Sequence, residues 1–313
     1  MLKSASAERH PFLSFLLLLL LMMGGALVFT VIASVVVVTV YGLNALLAMS
    51  AGGVSSIEVL RILQIFTSTG MFIVPALFFA KLERKDWLSY LKIKSFPAIL
   101  TVLAILIMLA ISPILEWSAE LNKSMKLPDF LRDLEAWMLL KEQEMAIMTK
   151  QLLRMDTLNV LLINILMLAI IPAIGEELIF RGCLQKLFLI WAGNKHVAIW
   201  LTAVIFSAIH VQFYGFIPRM LLGALFGYLL VWSDTIWIPI MTHFINNAAA
   251  VLTAYVYQQK GISLEKLDQP DPSPFYVYLI SFLAGAALLW AFYTASQKYS
   301  VSLSNRTDGS RMD

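Results

Sequence analysis

From Leu16 to Val40 the chain runs without a single charged residue. The run is longer than the roughly 7 to 15 residues of a secretory h-region, and no small-residue cleavage site follows the basic residues Lys3 and Arg9. It therefore reads as a first transmembrane helix, with a kink expected at Gly24-Gly25. Further apolar runs follow near 60–80, 96–115, 157–189, 197–212, 216–232, 236–257 and 275–296, each close to the spanning length. Composition agrees: 60% of residues are hydrophobic, 14% are charged and the mean hydropathy is +0.80, beyond what a water-soluble domain of 313 residues would show. The expected fold is an all-α, polytopic transmembrane bundle of about eight helices. A net charge of +3, scattered through loops, gives no surface for nucleic acid. Cys183 is the only cysteine, so no internal disulfide can form.

Loop charges set the expected orientation. The segment 81–94 holds Lys81, Arg84, Lys85, Lys92 and Lys94, whereas 116–156 carries more acids than bases, so both termini are expected in the cytoplasm. Residues from about Ser300 read as a loose polar tail. Between Pro128 and Asp156, apolar residues recur near helical spacing among acids and lysines, as in an amphipathic helix at the outer interface. Three regions result: 1–156, N-terminal spans plus this interfacial helix; 157–257, a polar-studded core; and 258–313, the last span and tail.

Charge inside the core is the anomaly. Ionised groups at a bilayer centre cost roughly 2.5 to 3.5 kcal/mol each, yet Glu176, Glu177 and Arg181 lie together in one apolar run. Glu177 and Arg181 are four residues apart and can pair on one helix face. Glu176 points elsewhere and needs another partner, water or a proton. Helix arithmetic places Glu176 and His210 at matching depths of roughly 20 Å on either side of the 190–196 connection. His243 and Asn247, one turn apart on a later span, reach depths near enough to converge with them. A shared polar cavity accounts for Glu176, His210, His243 and Asn247 more economically than four separate helix contacts.

These residues stand in recognisable patterns. Glu176-Glu177 with Arg181, Phe206 with His210, and His243 with Asn247 resemble the EExxxR, FxxxH and HxxxN motifs of the CPBP family, the CAAX-processing and bacteriocin-processing (Abi) intramembrane proteases. The resemblance covers about residues 157–257. It implies a glutamate-type intramembrane endopeptidase in a bilayer, expected to be the bacterial inner membrane, with a peptide or protein substrate that is membrane-embedded or lipidated. By that resemblance Glu176 with His210 activates water and His243 with Asn247 forms the oxyanion hole. Glu177 and Arg181 hold these groups in place, Phe206 shapes the wall, and no cofactor is needed.

Other readings use the same residues. Glu176, His210 and His243 form the two-His-one-carboxylate set of a zinc protease, although no HExxH helix is present. A transporter would use them as an ion path, but no duplicated half is visible. A non-enzymatic scaffold or bacteriocin-immunity factor would show an eroded constellation, which this is not. Gly223 and Gly227 read as close packing within the chain rather than dimerisation, Arg219 as a snorkelling residue and Cys183 as a packing residue.

Overall fold

The computed structural model describes residues 10–50, 57–267 and 273–309; Lys3, Arg9 and residues 310–313 lie outside this set. Among the described residues the chain is helical, with no strand. The long helices are α1 (Pro11–Tyr41), α2 (Ile57–Glu83), α3 (Ala98–Ser124), α4 (Arg132–Leu152), α5 (Leu158–Ala192), α6 (Lys195–Ala208), α7 (Phe216–Ser233), α8 (Trp237–Gln259) and α9 (Phe275–Gly309). By length and composition six candidate spans are found among the described residues: α1, α2, α3, α5, α9 and Phe213–Ser233, which includes α7. The chain is thus a multi-pass membrane protein. Two expected spans differ from these six. Thr242, His243, Asn246 and Asn247 dilute the apolar character of α8, and α6 has 14 residues, about 21 Å, short of the roughly 30 Å hydrocarbon core.

Two expectations are corrected. Helix α1 is continuous through Gly24-Gly25. A Cβ on Gly25 would lie 2.0 Å from the carbonyl oxygen of Gly70, so Gly25 serves backbone contact between α1 and α2 rather than a bend. At the other end α9 continues to Gly309, beyond the expected start of a loose tail, because extending a formed helix costs far less than starting one.

Proline shapes the two helices that approach the centre. A π-helical turn at Thr69–Ile73 precedes Pro75 in α2, and another at Leu166–Ile170 precedes Pro172 in α5. Proline lacks the N–H that would close the α-helical bond, and the wider turns accommodate the break. Helices α2 and α5 cross where Gly175 meets Phe72 and Ile73; a Cβ there would approach Phe72 Cβ to 2.7 Å. Cys183, further along, packs against Ala76 as expected, and Gly223 fits against Ala203 and Phe206 within the same chain.

The amphipathic helix is present as α4 and is pinned rather than loose. Arg61 in α2 donates to the carbonyls of Leu152 (3.3 Å) and Arg154 (2.7 Å) at the end of α4, and to Asn164 Oδ1 in α5 (3.1 Å). These contacts cap the last turn and offset the cost of a buried guanidinium.

At the opposite end of α5 the 84–94 linker is stitched to the α7–α8 turn. Ile236 N donates to Lys92 O and Thr235 Oγ1 to Lys94 O, while Asp234 pairs with both Lys92 and Lys94. Burial raises the Asp234 carboxyl, but the two ammonium groups outweigh it and hold it below its ordinary 3.8. A depressed carboxyl contributes stability above its unfolded value and loses it as pH falls through the folded value. Between about pH 6 and pH 3 the melting temperature should therefore fall further for wild type than for Asp234→Asn, which removes the titration and tolerates the left-handed backbone there (φ 54°). Equal slopes would deny the pair its role.

Candidate active site

Four helices contribute side chains to one buried cluster. In α5, Glu177 Oε1 accepts from Arg181 Nη1 at 2.8 Å with both side chains fully buried, the i,i+4 pair expected from the sequence. Arg181 also donates from Nη2 to Gly223 O in α7 (2.9 Å), which the glycine leaves accessible. Its guanidinium lies near the rings of Phe206 (4.6 Å) and Phe226 (5.4 Å), so two aromatic rings border the charge.

From α8, His243 reaches the same carboxylate. Its Nδ1 is 2.8 Å from Glu177 Oε1, and its Nε2 faces Glu176 Oε2 at 3.9 Å. Phe226 stacks on the imidazole (5.2 Å between centroids) and Phe206 meets it edge-on (6.0 Å). Glu177 Oε1 accepts from both Arg181 Nη1 and His243, so Nδ1 is the ring nitrogen that carries the hydrogen. The sequence expectation gave His243 no such partner. Glu177 thus orients His243 as well as pairing with Arg181.

His210 lies just past the end of α6, where the 197–212 run was expected to remain helical. The chain turns instead, and Val211 takes a left-handed φ of 54°, a costly conformation for a β-branched residue. Backbone freed at this depth needs partners. Asn122 of α3 donates to Phe213 O and accepts from Ile217 N; Ser207 donates to Phe216 O; Glu142 of α4 accepts from Tyr214 N. His210 Nδ1 donates to Phe206 O (2.7 Å), leaving Nε2 for another partner. Phe206 touches the rings of both His210 and His243, so it forms the wall between them. His210 and Glu176 make no ion contact within 4 Å; Glu176 meets His243 instead.

Asn247 shows what Pro172 does. In an α-helix Leu168 O would accept from the N–H of residue 172, which proline lacks. Asn247 Nδ2 takes that carbonyl at 3.1 Å, while its Oδ1 accepts from Asn246 (3.1 Å). One amide hydrogen of Asn247 remains uncommitted. Pro172→Ala should restore a helical donor to Leu168 O and loosen Asn247, lowering turnover severalfold with no loss of melting temperature. Unchanged turnover would show that Asn247 needs no such anchor.

Arg219 was not anticipated here. Its guanidinium is fastened to Gln212 through Oε1 (2.8 Å) and the main-chain carbonyl (3.4 Å), and its charge acts on both Glu176 and His210. A cation three residues into α7 carries an inward signal only if its helix begins at site depth, which α6 ending early brings about.

For zinc, the donor set of Glu176, His210 and His243 is not drawn together: among the described residues no three His, Cys, Asp or Glu side chains are arranged to hold a metal ion. His243 Nδ1 is bonded to Glu177, and Nε2 is the ring nitrogen that faces Glu176.

Residues 158–249, which contain every motif residue named above, match the family model described as Type II CAAX prenyl endopeptidase Rce1-like. Over this segment the chain is similar to the Rce1-like family. The uncharacterized protein YpbD of Bacillus subtilis (strain 168) is 29% identical over 89 residues, 27% of this chain and 42% of that protein. The matched stretch therefore spans less than half of that relative. No solved structure matches the chain significantly. The matched segment runs from α5 through α8 as far as residue 249, and the family it resembles is described as one of endopeptidases.

Proposed function

We propose that the chain is an intramembrane endopeptidase in which Glu176 removes a proton from a water that attacks a peptide carbonyl. The observation that carries this reading is the arrangement around Glu176: a carboxylate with no Lys or Arg bonded to it, facing an imidazole that a second, Arg-paired carboxylate holds in place. His210, whose Nε2 is uncommitted, would hold the water from the far side of Phe206. The remaining amide hydrogen of Asn247 would donate to the developing oxyanion. Arg219 would attract an anionic group of the substrate. The substrate is a peptide, membrane-embedded or lipidated, and the reaction proceeds without a metal.

The role of His243 divides on its protonation. With both nitrogens protonated it donates from Nε2 to the oxyanion, as the CPBP resemblance implies. With Nδ1–H alone, Nε2 is an acceptor beside Glu176 and would take the water's proton itself. Both readings place a hydrogen on Nδ1 toward Glu177 and differ only at Nε2, the nitrogen that faces Glu176.

Turnover of a transmembrane peptide by the purified protein tests both. Exhaustive chelation should leave the rate unchanged; loss of activity restored by zinc would replace the metal-free reading. His243→Gln can donate but cannot take a proton, so it should retain more activity than His243→Ala if His243 is an oxyanion donor. The two should be equally inactive if it is the base.

A further inference from the structure

A cavity of about 100 Å³ is lined by Arg181 but not by Glu176 or Glu177, and is bounded by α5, α6, α7 and the 84–94 linker. One water occupies roughly 10 to 15 Å³ on such a measure, so the space suits a small polar group rather than a single solvent molecule. Its polar lining comes from Tyr90, Lys92, Arg181, Gln185, Lys186 and Lys195, and its remaining walls are mostly apolar.

Two observations define what it would hold. Arg181 and Gln185 are 1% and 6% exposed, yet Arg181 Nε and Gln185 Oε1 have no hydrogen-bond partner among the described residues. Leaving buried polar atoms unmatched is costly. One is a donor and the other an acceptor, the pair that an alcohol hydroxyl satisfies and a bare phosphate oxygen does not. The cationic charges are also unevenly balanced. Arg181 is matched by Glu177 and Lys92 by Asp234. Lys186 binds Tyr90 O (3.1 Å) and lies over the Tyr90 ring, and neither Lys186 nor Lys195 has a carboxylate partner among the described residues. Two ammonium groups therefore flank a cavity whose base calls for a hydroxyl.

We propose that this cavity binds a hydroxylated phosphate ester, the glycerophosphate unit of an anionic phospholipid headgroup or of free glycerol phosphate. The phosphate lies between Lys186 and Lys195 and a glycerol hydroxyl reaches Gln185 and Arg181. Leu189 and Lys195 in its lining bring the cavity to the end of α5 and the start of α6, the stretch of chain that carries Trp191, which contacts Phe12, Phe15 and Phe188. That is the headgroup level of a bilayer, where indole rings concentrate. The site shares Arg181 with the cluster around Glu177, but the lipid preference expected of it does not depend on the proteolytic reading.

Native mass spectrometry of the full chain, released from nanodiscs containing phosphatidylcholine with phosphatidylglycerol or phosphatidylserine, tests it. Wild type should retain phosphatidylglycerol over phosphatidylcholine. Lys195→Glu, at an exposed helix start, should weaken that retention by about tenfold or more, since it reverses a charge beside the phosphate. Gln185→Leu should keep the anionic preference but lose the preference for phosphatidylglycerol over phosphatidylserine. Stabilisation of delipidated protein by millimolar glycerol 3-phosphate would identify a soluble ligand, and retention of the lipid without that effect would identify the headgroup. Equal retention of phosphatidylglycerol by wild type and Lys195→Glu, or no preference over phosphatidylcholine, would overturn the proposal.

Discussion

Replacing Glu176 by glutamine is expected to reduce peptide hydrolysis by about 100- to 10,000-fold while the protein accumulates and melts like wild type. The substitution keeps the size of the side chain and removes its capacity to take a proton. Little structure depends on the charge: the ion contact of Glu176 is His243 Nε2 at 3.9 Å, longer than a hydrogen bond. Single-turnover assays in detergent, paired with thermal melts, make the test. Full turnover in a well-folded variant would remove Glu176 from the reaction.

Arg181→Ala is expected to fail differently, losing folded yield together with activity. The guanidinium bridges Glu177 Oε1 and Gly223 O and is bordered by Phe206 and Phe226. Its removal leaves Glu177 buried with His243 as its remaining bonded partner, and breaking a buried pair in this way costs about 3 to 5 kcal/mol. Arg181→Lys should recover only part of the loss, because an ammonium cannot reproduce the planar fork that serves two acceptors. A normal melting temperature for the alanine variant would deny the pair its structural role.

The comparison of these two residues shows which parts of the site a sequence can reveal. The bond between Glu177 and Arg181 follows from helical spacing, and the spans follow from apolar runs bounded by charge. Convergence of His243 on the glutamates also follows from depth. What depends on departures from the regular helix does not follow. Helix α6 ends at Ala208, so His210 sits in a turn held by Asn122 from a helix that carries no motif. Arg219 is fastened to Gln212 in the same turn. Pro172 is the intermediate case: a proline within a span announces a free carbonyl four residues earlier, but not that Asn247 takes it. Arg61 carries an equally plain signal, a cation in an apolar run, and it fastens α4 to α2 and α5 rather than entering the cluster. Gly24-Gly25 illustrates the reverse error, since the residues that permit a bend also permit two backbones to touch.

The crossing of Gly175 with Phe72 bears on how such a chain can change over generations. Gly175 precedes Glu176 directly, and its fit is set by residues from α2, outside the 158–249 match. Asn164, inside the match, is likewise bonded to Arg61 outside it. The part of the chain that is shared with relatives is therefore not a portable module. Grafting it onto foreign leading helices would require those helices to reproduce a flat approach at Gly175 and a buried cation at Asn164. Drift in the leading helices is free along their lipid-facing surfaces and constrained where they meet the matched segment, and the contacts at Gly175 and Asn164 tie the inheritance of α2 to that of α5.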